Sequence, residues 1–368
     1  MTSLDAVTDL LDLRPAGSLV DRPGSTRLGV IAGRSGPRFL VPTSYPEATA
    51  QACLAYLGLR DTRTRVSRGA VGWAIKARAG QAVIRGELVA DAGPGSLLAH
   101  LGELLADPDE EPGLAIGVGL GRRDEVWKPT LQVFRPDGTP AAFVKIGLGP
   151  VADHLVATEA ATLDAWGQAD DPRLVVPELI ADTTWNGIRI VVVAPLPEDA
   201  RRLPAGVQSA WGVRQLEGET VAALGGASWW TSRRKACADQ PVVDAILDQI
   251  EARHGEVDHP WARWHGDWVP WNLARCQRGL IAWDWEYSEP NAPVGLDEVH
   301  GAYQQARVVE GRAIGDALAA ARRTAPSRWE ADAHVAMLVS RTAELERLAG
   351  TRPADQEELL GAAATALR

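Results

Sequence analysis

Three oxygen-bearing side chains in the last third of the chain carry the most chemistry. Asp267 and Asn272 stand in the order D-x4-N within His265-Gly-Asp-Trp-Val-Pro-Trp-Asn272, and Asp284 follows twelve residues later in Ala282-Trp-Asp-Trp-Glu286. Phosphoryl transfer from ATP needs a carboxylate to accept the proton of an acceptor hydroxyl. It also needs a second carboxylate and an amide oxygen to hold Mg²⁺ against the phosphates. A loop that carries Asp267 and Asn272 can point both at one site, and a following hairpin can return Asp284 to it. The same stretch fits a plainer picture. Trp261, Trp264, Trp268 and Trp271 are spaced 3, 4 and 3, as on one helical face. Against that picture, Gly266 and Pro270 break helices, and a packing stripe gives no reason for the acidic hairpin downstream.

The elements that must position these residues are legible in outline. Residues 114–121, 125–134 and 141–147 read as three short strands of an antiparallel meander, separated by Gly-rich or Pro-Asp-Gly turns. Residues 151–166 read as a helix with Val156, Ala160 and Leu163 on one face. RLVVPEL and IRIVVVAPL follow as two more strands. From about residue 205 the chain reads as helical, apart from a short hairpin at 273–286. Upstream, Leu28–Gly33 and Arg38–Pro42 read as strands around a GRSGP turn, and 46–57, 70–79 and 95–105 as helices. Residues 1–105 offer no constellation with chemistry. The acidic, Pro-containing ADPDEEPG at 106–113 marks a boundary. The expected class is α+β, divided into an N-terminal extension or cap (1–112), a β-rich segment (113–196) and a helical segment (197–368).

Lys145 lies on the third strand of the meander and Glu159 on the helix after it. The chain has four lysines among its 38 basic residues. Its heavy Ala, Gly and Arg use favours arginine, so a lysine that persists is informative. Gly117, Gly119 and Gly121 form G-x-G-x-G, a turn that can bring backbone N–H groups to a phosphate. Lys128 adds a positive charge nearby in sequence. His254, His259 and His265, with Asp258, match no zinc spacing.

HGD-x4-N followed by a DWE segment resembles the aminoglycoside phosphotransferase and choline kinase-like branch of the protein kinase-like fold. The run from Asp284 to Ser288 is especially similar to the choline/ethanolamine kinase version. The pattern as a whole is similar to actinobacterial phosphotransferase-family proteins of unassigned substrate. The resemblance covers about residues 113–300. It implies a two-lobed fold with a small antiparallel β lobe and a larger, mainly helical lobe, preceded by an N-terminal extension. It implies ATP and Mg²⁺ as cofactors and a small polar hydroxyl acceptor: an aminoglycoside, a sugar or amino sugar, or an amino alcohol. Asp267 then matches the catalytic aspartate, and Asn272 and Asp284 the metal ligands. His265 matches the histidine that braces the catalytic loop, and Asp297 an aspartate that anchors it. Lys145 matches the lysine on the α- and β-phosphates, with Glu159 as its ion-pair partner. Gly119 and Gly121 fall short of the kinase G-x-G-x-x-G, so the turn and the charge of Lys128, not the resemblance, set them as candidates beside the nucleotide; Val193–Leu196, including Ala194, match the hinge that hydrogen-bonds adenine. A Ser/Thr kinase of a biosynthetic precursor peptide and a non-catalytic nucleotide-binding scaffold are the alternatives on the same fold.

Composition sets the remaining bounds. The chain has 368 residues, 46 % hydrophobic and 23 % charged, enough to bury a core without disulfides. A formal net charge of −10 argues against a nucleic-acid partner. No apolar run is long enough for a membrane helix. Three widely spaced cysteines and an acidic amino terminus point to a reducing, cytoplasmic setting.

Overall fold

The computed structural model describes residues 2–16, 25–33, 36–59, 62–77, 84–106, 113–121, 124–167, 174–203 and 220–368. Most of the expected boundary (107–112), two residues of the GRSGP turn (34–35), the end of the expected helix (78–79) and the first residue of RLVVPEL (173) lie outside the described residues. The chain is α+β. It forms two compact units, one of residues 1–160 with 177–201, the other of 161–176 with 202–368.

In the first unit, chain order runs α1 (Ser3–Leu11), β1 (Arg14–Pro15), β2 (Thr26–Gly33), β3 (Gly36–Pro42), α2 (Pro46–Leu54), α3 (Thr62–Lys76), β4 (Ile84–Ala90) and α4 (Leu97–Leu104). Then come β5 (Ala115–Gly119), β6 (Thr130–Phe134), β7 (Pro140–Ile146) and α5 (Pro150–Gly167), whose last turns count with the second unit, as does β8 (Leu174–Val175). β9 (Leu179–Trp185) and β10 (Ile188–Val193) close the unit. Nine strands make one sheet in the order β1-β4-β2-β3-β5-β6-β7-β10-β9. Strands from before and after residue 113 share it, since Phe39 pairs with Gly119 and Leu40 with Val118. Prolines trim the expected strands. β6 begins after Pro129 rather than at residue 125, RLVVPEL splits around Pro177, and β10 stops before Pro195, because proline cannot donate to a ladder.

The sheet has two different faces. Leu28, Leu40, Val118, Leu131, Val133, Val144, Ile190 and Val192 bury against Val7 and Leu10 of α1 and Leu97 and Leu101 of α4. Each such side chain contributes about 1.5–3 kcal/mol on leaving water. A capping box from Thr2 and Asp5 starts α1. Side chains alternate across a strand, so Thr130, Gln132, Phe143 and Lys145 project from the opposite face, where Thr130 pairs with Lys145 and Gln132 with Phe143. At the far end of that face Ala115 and Phe134 pack with Ala48, Ala52 and Ile75 of α2 and α3.

The second unit continues through β11 (Arg201–Arg202), at the unit boundary, β12 (Thr220–Ala223), α6 (Ser228–Cys237), α7 (Pro241–His254), β13 (Asp258–Trp264), β14 (Leu273–Cys276), β15 (Gly279–Ala282) and β16 (Glu289–Pro293). Helices α8 (Leu296–Gln304), α9 (Ile314–Thr324), α10 (Arg328–Ala349) and α11 (Gln356–Ala366) complete it, with a π-helical turn at Gln305–Val309 after α8. α10 supplies much of the core, from Trp329 to Ala343. One expectation is corrected. The stretch beyond 205 is not helical apart from one hairpin: β12, β13 and β16 form a three-stranded antiparallel sheet. Trp261 and Trp264 therefore lie on a strand, not on a helical face. The reason is non-local: Trp261 pairs with Thr220 and with Pro293, both remote in sequence. Among the described residues no helix is long and apolar enough to cross a membrane.

Candidate active site

The loop between β13 and β14 is pinned from several sides before its side chains are considered. Asp297, in the first turn of α8, accepts the backbone N–H groups of His265 at 2.8 Å and Gly266 at 3.0 Å, one on each carboxylate oxygen. Burial outweighs those two bonds and pushes the Asp297 carboxyl up to about 7. The His265 ring accepts the Asp267 N–H on Nδ1 at 3.2 Å, so its Nε2 carries the proton and donates to the Trp283 carbonyl at 3.0 Å. That ring also lies 4.4 Å from Trp285. Gly266 turns the chain with φ +84°, and a Cβ there would strike the Tyr287 carbonyl oxygen. Gly266→Ala should cost about 3 kcal/mol, from left-handed strain and overpacking together. Urea unfolding measures it.

On this frame Asp267 and Asn272 meet. The Asn272 amide donates to Asp267 Oδ2 at 2.8 Å and to the Asp267 carbonyl at 3.1 Å. With its nitrogen so engaged, its oxygen is left for a cation, which suits Mg²⁺. Asp284, just past β15, holds a left-handed backbone (φ +62°) that a non-glycine residue adopts only under constraint. The Asn272 carbonyl accepts the Trp283 N–H at 3.2 Å, which ties this segment to the loop. Burial pushes Asp267 up to about 6. Arg341 opposes the shift, while the negative charges of Glu286 and Asp284 add to it. The structure thus brings 267, 272 and 284 together within the second unit. Among the described residues no three His, Cys, Asp or Glu side chains form a metal cluster. An Asn–Asp pair completed by phosphate oxygens is not such a cluster.

In the first unit, Lys145 Nζ lies 2.6 Å from Glu159 Oε1, and both side chains are buried. β7 aims the lysine from the face opposite the apolar core, and α5 supplies the glutamate. On that same face a cavity of about 330 Å³ is lined by Gly119, Gly121, Lys128, Gln132, Phe143 and Arg68. Ala194 follows β10, and its N–H donates to the Glu178 carbonyl at 2.8 Å.

Three solved structures match parts or most of the chain. Aminoglycoside phosphotransferase APH(4)-Ia, in ternary complex with ADP and hygromycin B, matches at 12 % identity and TM-score 0.44, over 73 % of this chain and 97 % of that one. Amicoumacin kinase hAmiN, in complex with AMP-PNP, Ca²⁺ and Ami, matches at 12 % and 0.39, over 74 % and 92 %. Glucosamine kinase matches at 15 % and 0.32, over 96 % and 93 %. The chain is similar to these kinases in structure. No protein-family model matches the chain. No curated protein matches it.

Other residues near Asp267 carry no sequence signal. Gln304, at the end of α8, donates to Asp267 Oδ1 at 3.5 Å and to His300 Nε2 at 3.3 Å. His300 must then be neutral, and its Nδ1 proton goes to His334 Nε2 at 3.2 Å. Read one at a time, buried histidines look like surface or satisfied core residues. Only the fold joins them to Asp267. His254 and His259 are also placed by packing: His254 pairs with buried Asp332 at 3.1 Å, and His259 stacks on Trp329. Of the loop tryptophans, Trp268 and Trp285 are buried, while Trp271, beside Asn272, is 41 % exposed.

Burial holds His300 well below its ordinary value and His334 down to about 3. In the unfolded chain each regains a value near 6.5 and binds a proton below it. The pair therefore leaves stability untouched above about pH 6.5 and withdraws it as pH falls towards 3. His334→Asn removes one such group. Its cost in urea unfolding should be smaller at about pH 5 than at about pH 8, by roughly 2 kcal/mol.

Proposed function

We propose that the protein transfers the γ-phosphate of ATP, with Mg²⁺, to a hydroxyl of a small polar acceptor. The observation that carries this reading is the Asp267–Asn272 contact on a loop fixed by Asp297 and His265, with the charge of Asp284 upon it. In this reading Asp267 accepts the proton as the acceptor oxygen attacks the γ-phosphorus. The bond from that phosphorus to the β-phosphate oxygen breaks, and ADP leaves. Above about pH 6 Asp267 is ionised and able to take the proton. Bound Mg²⁺ supplies charge neutralisation at the phosphates, and Asn272 and Asp284 are the side chains that would hold it. Little else is asked of the protein than positioning and charge.

The first unit serves the nucleotide. Lys145, oriented by Glu159, contacts the α- and β-phosphates. Backbone N–H groups around Gly119 and Gly121, with Lys128 beside them, meet phosphate oxygens, and the chain at Ala194 receives the adenine edge. The test is ADP release by the purified protein with ATP and Mg²⁺ across aminoglycosides, amino sugars, sugars and amino alcohols. Acceptor-dependent release that EDTA abolishes supports the reading. Absence of ATP binding in the presence of Mg²⁺ would contradict it.

A further inference from the structure

Residues 1–105 bear no motif, yet one of their side chains reaches the strand end assigned above to the adenine edge. Tyr56, just after α2, donates its hydroxyl to the Leu196 carbonyl at 3.1 Å. Its ring lies 5.7 Å from Phe143, which shares a sheet face with Lys145. All four residues belong to the first unit. Tyr56 has φ +56°, a conformation that a bulky side chain adopts only where its surroundings over-determine it. Burial pushes its hydroxyl up to about 12, so it remains a donor.

The backbone around Leu196 has little to offer a base. The Ala194 N–H is committed to Glu178. Pro195 and Pro197 have no N–H, so Leu196 supplies the one backbone donor between 195 and 197. Pro197 favours an extended Leu196. An extended residue turns its N–H and its carbonyl to the same side. A purine whose N1 accepts from the Leu196 N–H therefore turns its C2 position towards the Leu196 carbonyl. The Tyr56 hydroxyl already holds one lone pair of that carbonyl and fills the space beside it. Adenine has only a hydrogen at C2. Guanine and 2,6-diaminopurine carry an amino group there, whose nitrogen must enter the space that the Tyr56 hydroxyl takes beside the carbonyl.

We infer that Tyr56 is a base-selecting residue, which by capping the Leu196 carbonyl restricts the site to purine nucleotides without a 2-amino group. The inference rests on the nucleotide reading given under the proposed function. It makes the N-terminal segment part of the nucleotide site, through a contact that spans 140 residues of chain.

The probes are ATP and 2-amino-ATP, each with Mg²⁺, titrated by calorimetry into the full chain and into Tyr56→Phe. The two nucleotides share the adenine N6 and N1 groups and differ only at C2. Wild type should bind ATP at least about tenfold more tightly than 2-amino-ATP, the usual effect of crowding an extra group into a filled site. Tyr56→Phe frees the carbonyl. It should bring the two affinities within about twofold, with ATP itself changed less than about threefold. Equal binding of both nucleotides by wild type, or discrimination that survives in Tyr56→Phe, overturns the inference and leaves the kinase reading standing. A Tyr56→Phe protein that melts lower and loses both nucleotides alike also overturns it, since the tyrosine is then structural only. The wild-type comparison does not depend on the variant's folding. Wild type that binds neither nucleotide refutes the nucleotide site, and this inference with it.

Discussion

Asp267→Asn should lower turnover on the best acceptor by about three orders of magnitude, within the usual range for removing a positioned general base. ATP affinity should stay near wild type, because the aspartate is assigned to the acceptor hydroxyl and not to the nucleotide. The substitution is close to isosteric, and its oxygen can still accept from the Asn272 amide. Stability gives a second readout, with a sign. Burial raises the Asp267 carboxyl to about 6, so the folded state holds a proton that the unfolded state has already lost. That costs stability from about pH 4 upward, in full above about pH 6. A neutral asparagine avoids the cost. Asp267→Asn should therefore melt no lower than wild type at pH 7.5 while being almost inactive, the trade expected of a residue kept for chemistry. Turnover within tenfold of wild type would remove Asp267 from the mechanism.

The Lys145–Glu159 pair should show the largest effect on stability. Both side chains are nearly inaccessible, at 8 % and 3 %, and 2.6 Å apart. Two buried charges that close largely repay each other, but removal of one strands the other, at about 3–5 kcal/mol. Lys145→Met and Glu159→Gln should each destabilise the protein by an amount of that order in urea unfolding. The double variant Lys145→Met/Glu159→Gln should regain most of the loss, because no charge is left stranded. Nucleotide binding should not follow the same course. If Lys145 contacts phosphate, every variant that lacks it, the stable double variant included, should bind ATP at least about tenfold more weakly, a loss of about 1.4 kcal/mol. A double variant as unstable as the worse single one would contradict the pairing, and wild-type ATP affinity in Lys145→Met would contradict the role.

Much of this arrangement can be read from the sequence because the informative signals are local. Asp267 and Asn272 sit on one loop and Asp284 just past the next hairpin, so spacing alone can suggest that they meet. Lys145 stands out because lysine is scarce, and Glu159 because it lies on the next helix. The sequence is silent where partners are distant. β13 falls in the stretch that reads as helical, since nothing within 258–264 announces that its ladders go to β12 and β16. Gln304 reaches the loop between β13 and β14 from α8, and Arg341 from α10, through contacts spanning more than 30 residues. Tyr56 and Leu196 are farther apart still, and neither residue type is unusual at its place. The two strands legible at 28–33 and 38–42 fall in the expected N-terminal extension, but with β1 and β4, which the sequence does not announce, they extend the same sheet through the β3–β5 ladder.

The most direct test of the proposed chemistry does not require the acceptor to be known. Mn²⁺ can stand in for Mg²⁺ at an oxygen site, and electron paramagnetic resonance counts it when it is bound. With AMP-PNP present, the full chain should hold Mn²⁺ more tightly than AMP-PNP does alone. Asp284→Ala should weaken that binding by at least about tenfold, near 1.4 kcal/mol for one lost carboxylate ligand. Mn²⁺ affinity with nucleotide that is no higher in the presence of the protein, or that is the same in wild type and Asp284→Ala, would contradict the assignment of Asn272 and Asp284 as the metal's ligands.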